Sequence, residues 1–184
     1  MIIAGIIIGI VLILVLMYNS LINKKNQVEN SLGGMDVQLK KRYDLIPNLI
    51  SAVKTYMKHE ANTLMEITEL RTKALSDGIS DDEKVDLDNK ITSHLSGIMV
   101  AVENYPDLKA SDNFIQLQRS LNEVEEQISA SRRSYNAAVT DYNNGVEMFP
   151  TNLIAGVMSF KRKNVFDIPD VQRENVNVEN LFNS

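Results

Sequence analysis

Between Ile2 and Tyr18 the chain carries no charged or strongly polar side chain, and Lys24-Lys25 come soon after. The run IIAGIIIGIVLILVLMY continues through Asn19-Ser20 to Leu21-Ile22. As a helix rising ~1.5 Å per residue, Ile2 to Ile22 spans ~31 Å, enough to cross a hydrocarbon core of ~30 Å. A secretory signal would have a basic segment before its apolar core and a small-residue cleavage site after it. Nothing basic except the terminal amine precedes this core, and no A-x-A-like site follows Met17. A buried core helix would need other elements to surround it, which an unbroken β-branched run at the start of the chain rarely has. The run is expected to be a retained membrane anchor over residues 1–22. Gly5 and Gly9 form a G-x-x-x-G that could bring two spans together, or they are glycines of the kind common in spanning helices. Homo-oligomerisation therefore stays open.

Lysine and arginine near the ends of a span set its direction. Lys24, Lys25, Lys40, Lys41 and Arg42 lie after the span and none precedes it. The expected topology is a single pass through the cell membrane, N-terminus outside and the C-terminal domain cytoplasmic. About 160 residues remain after the anchor, a size that suits one domain. Their net charge of −5 argues against a nucleic-acid partner. With no cysteine, disulfide scaffolds and thiolate zinc sites are excluded.

Helical periodicity dominates the chain beyond the anchor. Phe114, Leu117, Leu121, Val124, Ile128, Ser131, Tyr135, Ala138, Tyr142, Val146 and Phe149 recur in steps of three and four, the spacing of one seam on a long helix. Ile91, Leu95, Ile98, Val102 and Tyr105 repeat it upstream. Ser80 can cap that helix and Tyr105-Pro106 ends it, while Ser111 or Asp112 caps the next. An earlier helix carries Leu49, Val53, Tyr56, Leu64, Ile67 and Ala74 and ends at Gly78, a residue suited to a left-handed cap. The helix leaving the membrane uses Val28, Leu32, Met35 and Leu39, weakened by Gly33-Gly34. Pro47 does not suit a helix interior, so a turn or sharp kink is expected at Asp44-Leu45-Ile46-Pro47-Asn48.

The sum is an all-α chain, an N-terminal transmembrane helix followed by an antiparallel up-down four-helix bundle over 23–166, with a flexible tail over 167–184. The last helix, at ~57 Å, then outreaches the extramembrane part of the first. It should return the chain to the bilayer near Phe149-Pro150. There Leu153 to Phe160 form an apolar stretch joined to Lys161, Arg162 and Lys163. This segment either lies on an anionic membrane surface or folds back as a short helix that plugs the bundle end.

No catalytic constellation emerges. His59-Glu60 lacks the second histidine of H-E-x-x-H, since residue 63 is threonine. Tyr56 and Ile91 stand where a di-iron bundle would need glutamates before His59 and His94. No metal or other cofactor is expected. Arg132-Arg133 reads as an anion site or, more simply, as part of a charged outer face. Asp36, Gln38, Lys40, Arg42, Asp44 and Asn48 crowd the expected first bend. They either tie that turn together or form a docking surface at the membrane-distal end.

The stretch Met35-Asp36-Val37-Gln38-Leu39-Lys40-Lys41-Arg42-Tyr43-Asp44-Leu45-Ile46-Pro47-Asn48-Leu49-Ile50 resembles the signature of the bacterial LemA family. So do Val53-Lys54, Tyr56, His59-Glu60, Tyr105-Pro106-Asp107-Leu108-Lys109-Ala110, Asn113-Phe114, Leu117-Gln118, Arg132, Tyr135-Asn136, Tyr142-Asn143 and Phe149-Pro150. The likeness runs from Tyr18 to Phe166. Ser31-Leu32 departs from the family's frequent alanine-tryptophan, Gly33-Gly34 loosens that turn, and Ser159 replaces a usual glycine. The resemblance implies a single-pass protein with a helical bundle, an outside N-terminus and no enzymatic activity that can be carried over. Some members are encoded beside a membrane metalloprotease, which by resemblance suggests envelope quality control. The expected function is a membrane-anchored scaffold or adaptor of the bacterial envelope, touching the lipid bilayer and a protein partner. The alternative is a stress sensor, or a regulator of a membrane protease, that responds to ligand or lipid.

Overall fold

The computed structural model describes residues 1–166, apart from the side chains of Asp81 and Asp82. The tail expected over 167–184 lies outside the described residues. Those described form six helices and no strand: α1 (Ile2–Val53), α2 (Ala61–Ala74), α3 (Asp81–Val102), the one-turn α4 (Pro106–Lys109), α5 (Asp112–Glu147) and α6 (Thr151–Val157).

α1 is a single 52-residue helix that leaves the apolar run without a break. Its first part packs on almost nothing. Ile2, Ile3 and Ile6 through Leu16 expose their large apolar side chains, and none of the most apolar window is buried. That removes the core-helix reading and leaves a surface that water would not tolerate, so the segment belongs in a membrane. Farther on, Leu21, Val28, Met35, Leu39, Arg42, Ile46, Leu49 and Val53 are buried along one heptad stripe.

The turn expected at Pro47 is not there. Pro47 lies inside α1, and the chain turns only after Val53. A proline in a helix lacks the N–H that would bond the carbonyl four residues back, here that of Tyr43, a defect worth about 3 kcal/mol. Arg71 of α2 repairs it, its Nε donating to the Tyr43 carbonyl at 2.7 Å. Ile46, Leu49 and Val53 on either side are fully buried, which holds the helix together across the gap.

Continuing α1 to Val53 also reduces the expected mismatch in length, to ~46 Å for residues 23–53 against ~54 Å for α5. α5 has 36 residues. Lys24 pairs with Asp141, Gly145 faces Leu21, and Arg42 reaches Glu125. As numbers rise along α1, their partners fall along α5. Carried forward at the same step, that register sets Asp112 beside the end of α1 and Glu147 beside Asn19. α2 and α3 pair in the same sense, through Lys73 with Glu83 and His94 with Glu66.

The local signals operate as their chemistry demands. Ser80 Oγ accepts from Glu83 N, and Ser111 Oγ accepts from Phe114 N. Gly78 takes φ +82° after α2. The seam of α5 buries Phe114, Leu117, Leu121, Ile128, Tyr135, Ala138 and Tyr142, with Val124 and Val146 packed at its edge. Phe149 does not join them. Helix α5 stops at Glu147 and Met148 is extended, so Phe149 swings out and is 78% exposed.

Candidate functional site

Two regions concentrate the chemistry: the end of the packed helices beside the apolar span, and an ionic centre midway along them. At the first, α6 lies alongside α1. Tyr18 meets Phe160 edge-on at 6.3 Å between ring centroids. Val11, Leu14, Val15 and Tyr18 of α1 face Leu153, Ile154, Val157 and Met158 across a groove of about 520 Å³. The outer side of α6 is apolar too, with Leu153 and Met158 exposed and Val157 84% exposed. An isolated apolar helix beside a spanning segment gains nothing from water and much from hydrocarbon. Lys161, Arg162 and Lys163 come next in the chain. Arg162 bonds Glu147 at 3.1 Å, whereas neither Lys161 nor Lys163 has an acidic partner among the described residues.

Residues 161–166 then run back along α5 as an extended strap. Tyr142 donates its hydroxyl to the Lys161 carbonyl at 3.0 Å. The Asn143 amide donates to the Lys163 carbonyl and accepts from its N–H, both at 2.9 Å. Asn136 does the same for Phe166, at 2.9 and 2.8 Å. Tyr135 and Phe166 close the contact edge-on, centroids 5.0 Å apart. The two asparagines are one heptad apart, about 10.5 Å along a helix, and the three residues from 163 to 166 span about 10 Å when extended. The repeat Tyr135-Asn136, Tyr142-Asn143 is thus cut to the length of the strap. Burial pushes the Tyr142 phenol above its ordinary pKa.

At the ionic centre, Arg42 of α1 and Asp88 of α3 are each 0% exposed. The Asp88 carboxylate takes Arg42 on one oxygen and Arg132 of α5 on the other. Arg42 Nη1 also donates to Thr92 Oγ1 at 2.8 Å and to Glu125 Oε1 at 3.0 Å. Two cations and two anions cancel. Burial opposes the Arg42 charge, but Asp88 and Glu125 outweigh it and hold its pKa above the ordinary arginine value. Burial likewise raises the neighbouring Tyr43. The charges pair with one another, but Arg42 Nε and Arg132 Nε find no hydrogen-bond partner among the described residues, and Thr92 and Glu125 also line a groove of about 420 Å³ with Ser96, Asn122 and Ser129.

The structure scatters the expected docking residues. They lie along α1 rather than around a bend. Arg42 is withdrawn into the core, where Asp88 and Glu125 neutralise it. Asp36 is tied to Lys84 at 2.8 Å, and Gln38 is half-buried. Lys40 and Asp44 are exposed and pair with each other one turn apart at 3.2 Å. Asn48 lines a groove of about 480 Å³ with Ser51, Asn113, Gln116 and Ser120, toward the far end of α1. Arg132 likewise turns inward rather than joining an outer face. Sequence reasoning missed Asp88, Glu125 and Thr92, and it noted Asn136 and Asn143 only for the family resemblance, without their clamping of the strap. His59 sits in the turn after α1, and His94 approaches Glu66 at 3.6 Å. Among the described residues no three His, Cys, Asp or Glu side chains gather as metal ligands would.

The sequence is similar to several known proteins. A protein named "Protein LemA" from Metamycoplasma hominis is 27% identical over 165 residues, covering 90% of this chain and 75% of that one. Magnetosome proteins MamQ 1 and MamQ 2 of Paramagnetospirillum magneticum are each 23% identical over 178 residues, covering 83% of this chain. The chain spans 65% of the length of these two relatives. The sequence model of the LemA family matches residues 31–180, from the heptad stripe of α1 past the strap, and the chain belongs to that family.

Proposed function

We propose that this chain is a membrane-anchored helical scaffold that presents a rigid bundle to a protein partner. The observation that carries the reading is the continuity of α1, which is both the apolar span and the spine of the packed domain. A helix uninterrupted from membrane to core gives the bundle a fixed height and direction, which a scaffold needs and a freely tethered enzyme does not. The extramembrane part of α1 with α2, α3 and α5 makes an antiparallel up-down four-helix bundle, as the opposed pairings along α1 and α5 support. Lys24 and Lys25 favour a cytoplasmic bundle of the bacterial envelope. The reading treats the chain as a non-enzyme, and for it speaks the mutual pairing of the buried charges.

The partner is an envelope or cytoplasmic protein, a membrane metalloprotease system being the family-based expectation. Crosslinking in intact cells followed by affinity capture should recover a protein in fixed proportion to this chain. Consistent recovery of this chain alone overturns the adaptor role. Cleavage of the bundle by protease added outside unbroken cells overturns the cytoplasmic orientation.

A second reading, an envelope-stress sensor, is favoured by the contact of α6 with both the span and α5. Neutralising Lys161, Arg162 and Lys163 should then alter the stress response of the cell, and an unchanged response argues against it.

A further inference from the structure

The groove between α1 and α6 does not end in the hydrocarbon. Tyr18 and Met158 line it and also line a second cleft, of about 500 Å³, whose walls include Ile22, Lys25 and Lys161 to Lys163. The two clefts therefore adjoin at Tyr18 and Met158, one lined by apolar side chains and the other by clustered cations. The apolar part lies beside Val11 to Tyr18, at the depth of acyl chains if Ile2 to Ile22 span the bilayer. The basic part lies beside Lys25, where head groups begin. Arg162 is paired with Glu147 and Lys25 has Glu29 at 3.7 Å, while Lys161 and Lys163 have no acidic partner, so among the described residues the cleft carries an excess of positive charge.

We propose that these adjoining clefts are a binding site for one anionic phospholipid. An acyl chain lies against Leu14, Val15, Ile154 and Val157, and the phosphate sits among Lys25, Lys161 and Lys163. The shape argues for a lipid rather than a free phosphate, because the apolar groove has no use for a soluble anion. The charge argues for an anionic head group rather than a zwitterionic one. The strap contributes by holding the cations in place. Its bonds from Tyr142 and Asn143 fix the backbone of Lys161 and Lys163, and both residues line the cleft. The site depends on the membrane placement of α1 but not on the scaffold role, which can fail without it.

The full chain, purified in mild detergent after reconstitution in phosphatidylcholine containing phosphatidylglycerol, is assayed by native mass spectrometry. One phosphatidylglycerol should be retained per chain in preference to phosphatidylcholine. Lys161→Gln with Lys163→Gln, changes at one exposed and one half-buried side chain that leave the strap's backbone bonds intact, should lower that preference by tenfold or more, since each basic group near anionic lipid contributes about a factor of five. A photoreactive residue in place of Ile154 should crosslink phosphatidylglycerol more than one in place of Leu16, which points away from the groove. Equal retention of the two lipids by the unaltered chain, an unchanged preference in the double variant, or equal crosslinking from both positions overturns the site. Displacement of the retained lipid by inorganic phosphate alone overturns the lipid assignment.

Discussion

Replacing Asp88 by asparagine keeps the side chain's shape and removes the one charge that two arginines share. Asp88 and Arg42 are both fully enclosed, so the charge left behind cannot simply turn to water. Breaking a buried pair by deleting one partner costs about 3–5 kcal/mol. Two features place Asp88→Asn at the lower end. The Arg132 side chain is 16% exposed and that of Glu125 35% exposed, which lets solvent relieve part of the excess positive charge. The expected loss is about 3 kcal/mol, and with a urea dependence of about 2 kcal/mol per molar the unfolding midpoint falls by about 1.5 M. Glu125→Gln, which touches the partly exposed end of the same network, should cost under about 1 kcal/mol. Removing both enclosed charges together, as Arg42→Met with Asp88→Leu, should cost less than Asp88→Asn alone, because the charges that then lose their partners, Arg132 and Glu125, are partly exposed rather than fully enclosed. The assay is urea unfolding of the full chain in detergent, monitored by the far-UV signal of the extramembrane helices. A midpoint for Asp88→Asn indistinguishable from that of Glu125→Gln would refute a desolvated network.

Particular contacts elsewhere in the bundle carry four more outcomes. Arg71→Met should cost about 1–3 kcal/mol by leaving the Tyr43 carbonyl unpaired, but markedly less when Pro47→Ala restores the helical N–H; additive costs in that double-mutant cycle would show that Arg71 does not repair the proline gap. Asn143→Ala should free the strap at Lys163, seen as faster trypsin cutting at Lys161 to Lys163, and unchanged cutting refutes the clamp. Gly34→Ala, in a helix interior with open space where the methyl group goes, should stabilise by about 0.5–1 kcal/mol in urea; a loss would mean that α1 needs the glycine. The Tyr142 phenol ionises later when folded than when unfolded, so its share of stability is complete below pH ~10 and is lost as pH rises through its raised value. The phenolate absorbance missing from Tyr142→Phe should accordingly appear above the ordinary tyrosine range, and appearance at pH ~10 contradicts the burial.

The features legible in the sequence are those that depend on periodicity or on one residue's own geometry. The apolar run, the seam of α5, the serine caps and the left-handed Gly78 all belong to that class. Pro47 misled because its effect is local while its remedy is not. The missing N–H is visible in the chain, whereas the arginine that replaces it comes from α2, 24 positions on. Phe149 misled in the opposite way: its spacing fits the seam, but the helix that would have carried it there ends two residues earlier.

The ionic centre could have been found by trusting the period over the polarity. Leu21, Val28, Met35, Arg42 and Leu49 fall on one heptad position of α1, and Asp88 stands seven residues before Leu95 and fourteen before Val102 on α3. A cation and an anion, each on a core stripe of its own helix, leave few arrangements in which both are satisfied. The stripes must meet at that one level, with α5 turned to bring Arg132 and Glu125 alongside. An apolar pair at those positions would pack almost as well after a one-heptad slip of α1 against α3, because leucine against isoleucine is tolerated at many heights. The slip is closed to the charged pair, since it would strand both ions in the core. The network is thus expected to set register more than to add stability, the best-attested use of buried polar groups in helical seams. In this chain, register along α1 is also height above the membrane. The same ion pair that fixes how α3 sits on α1 therefore fixes how far from the bilayer the bundle displays its surface.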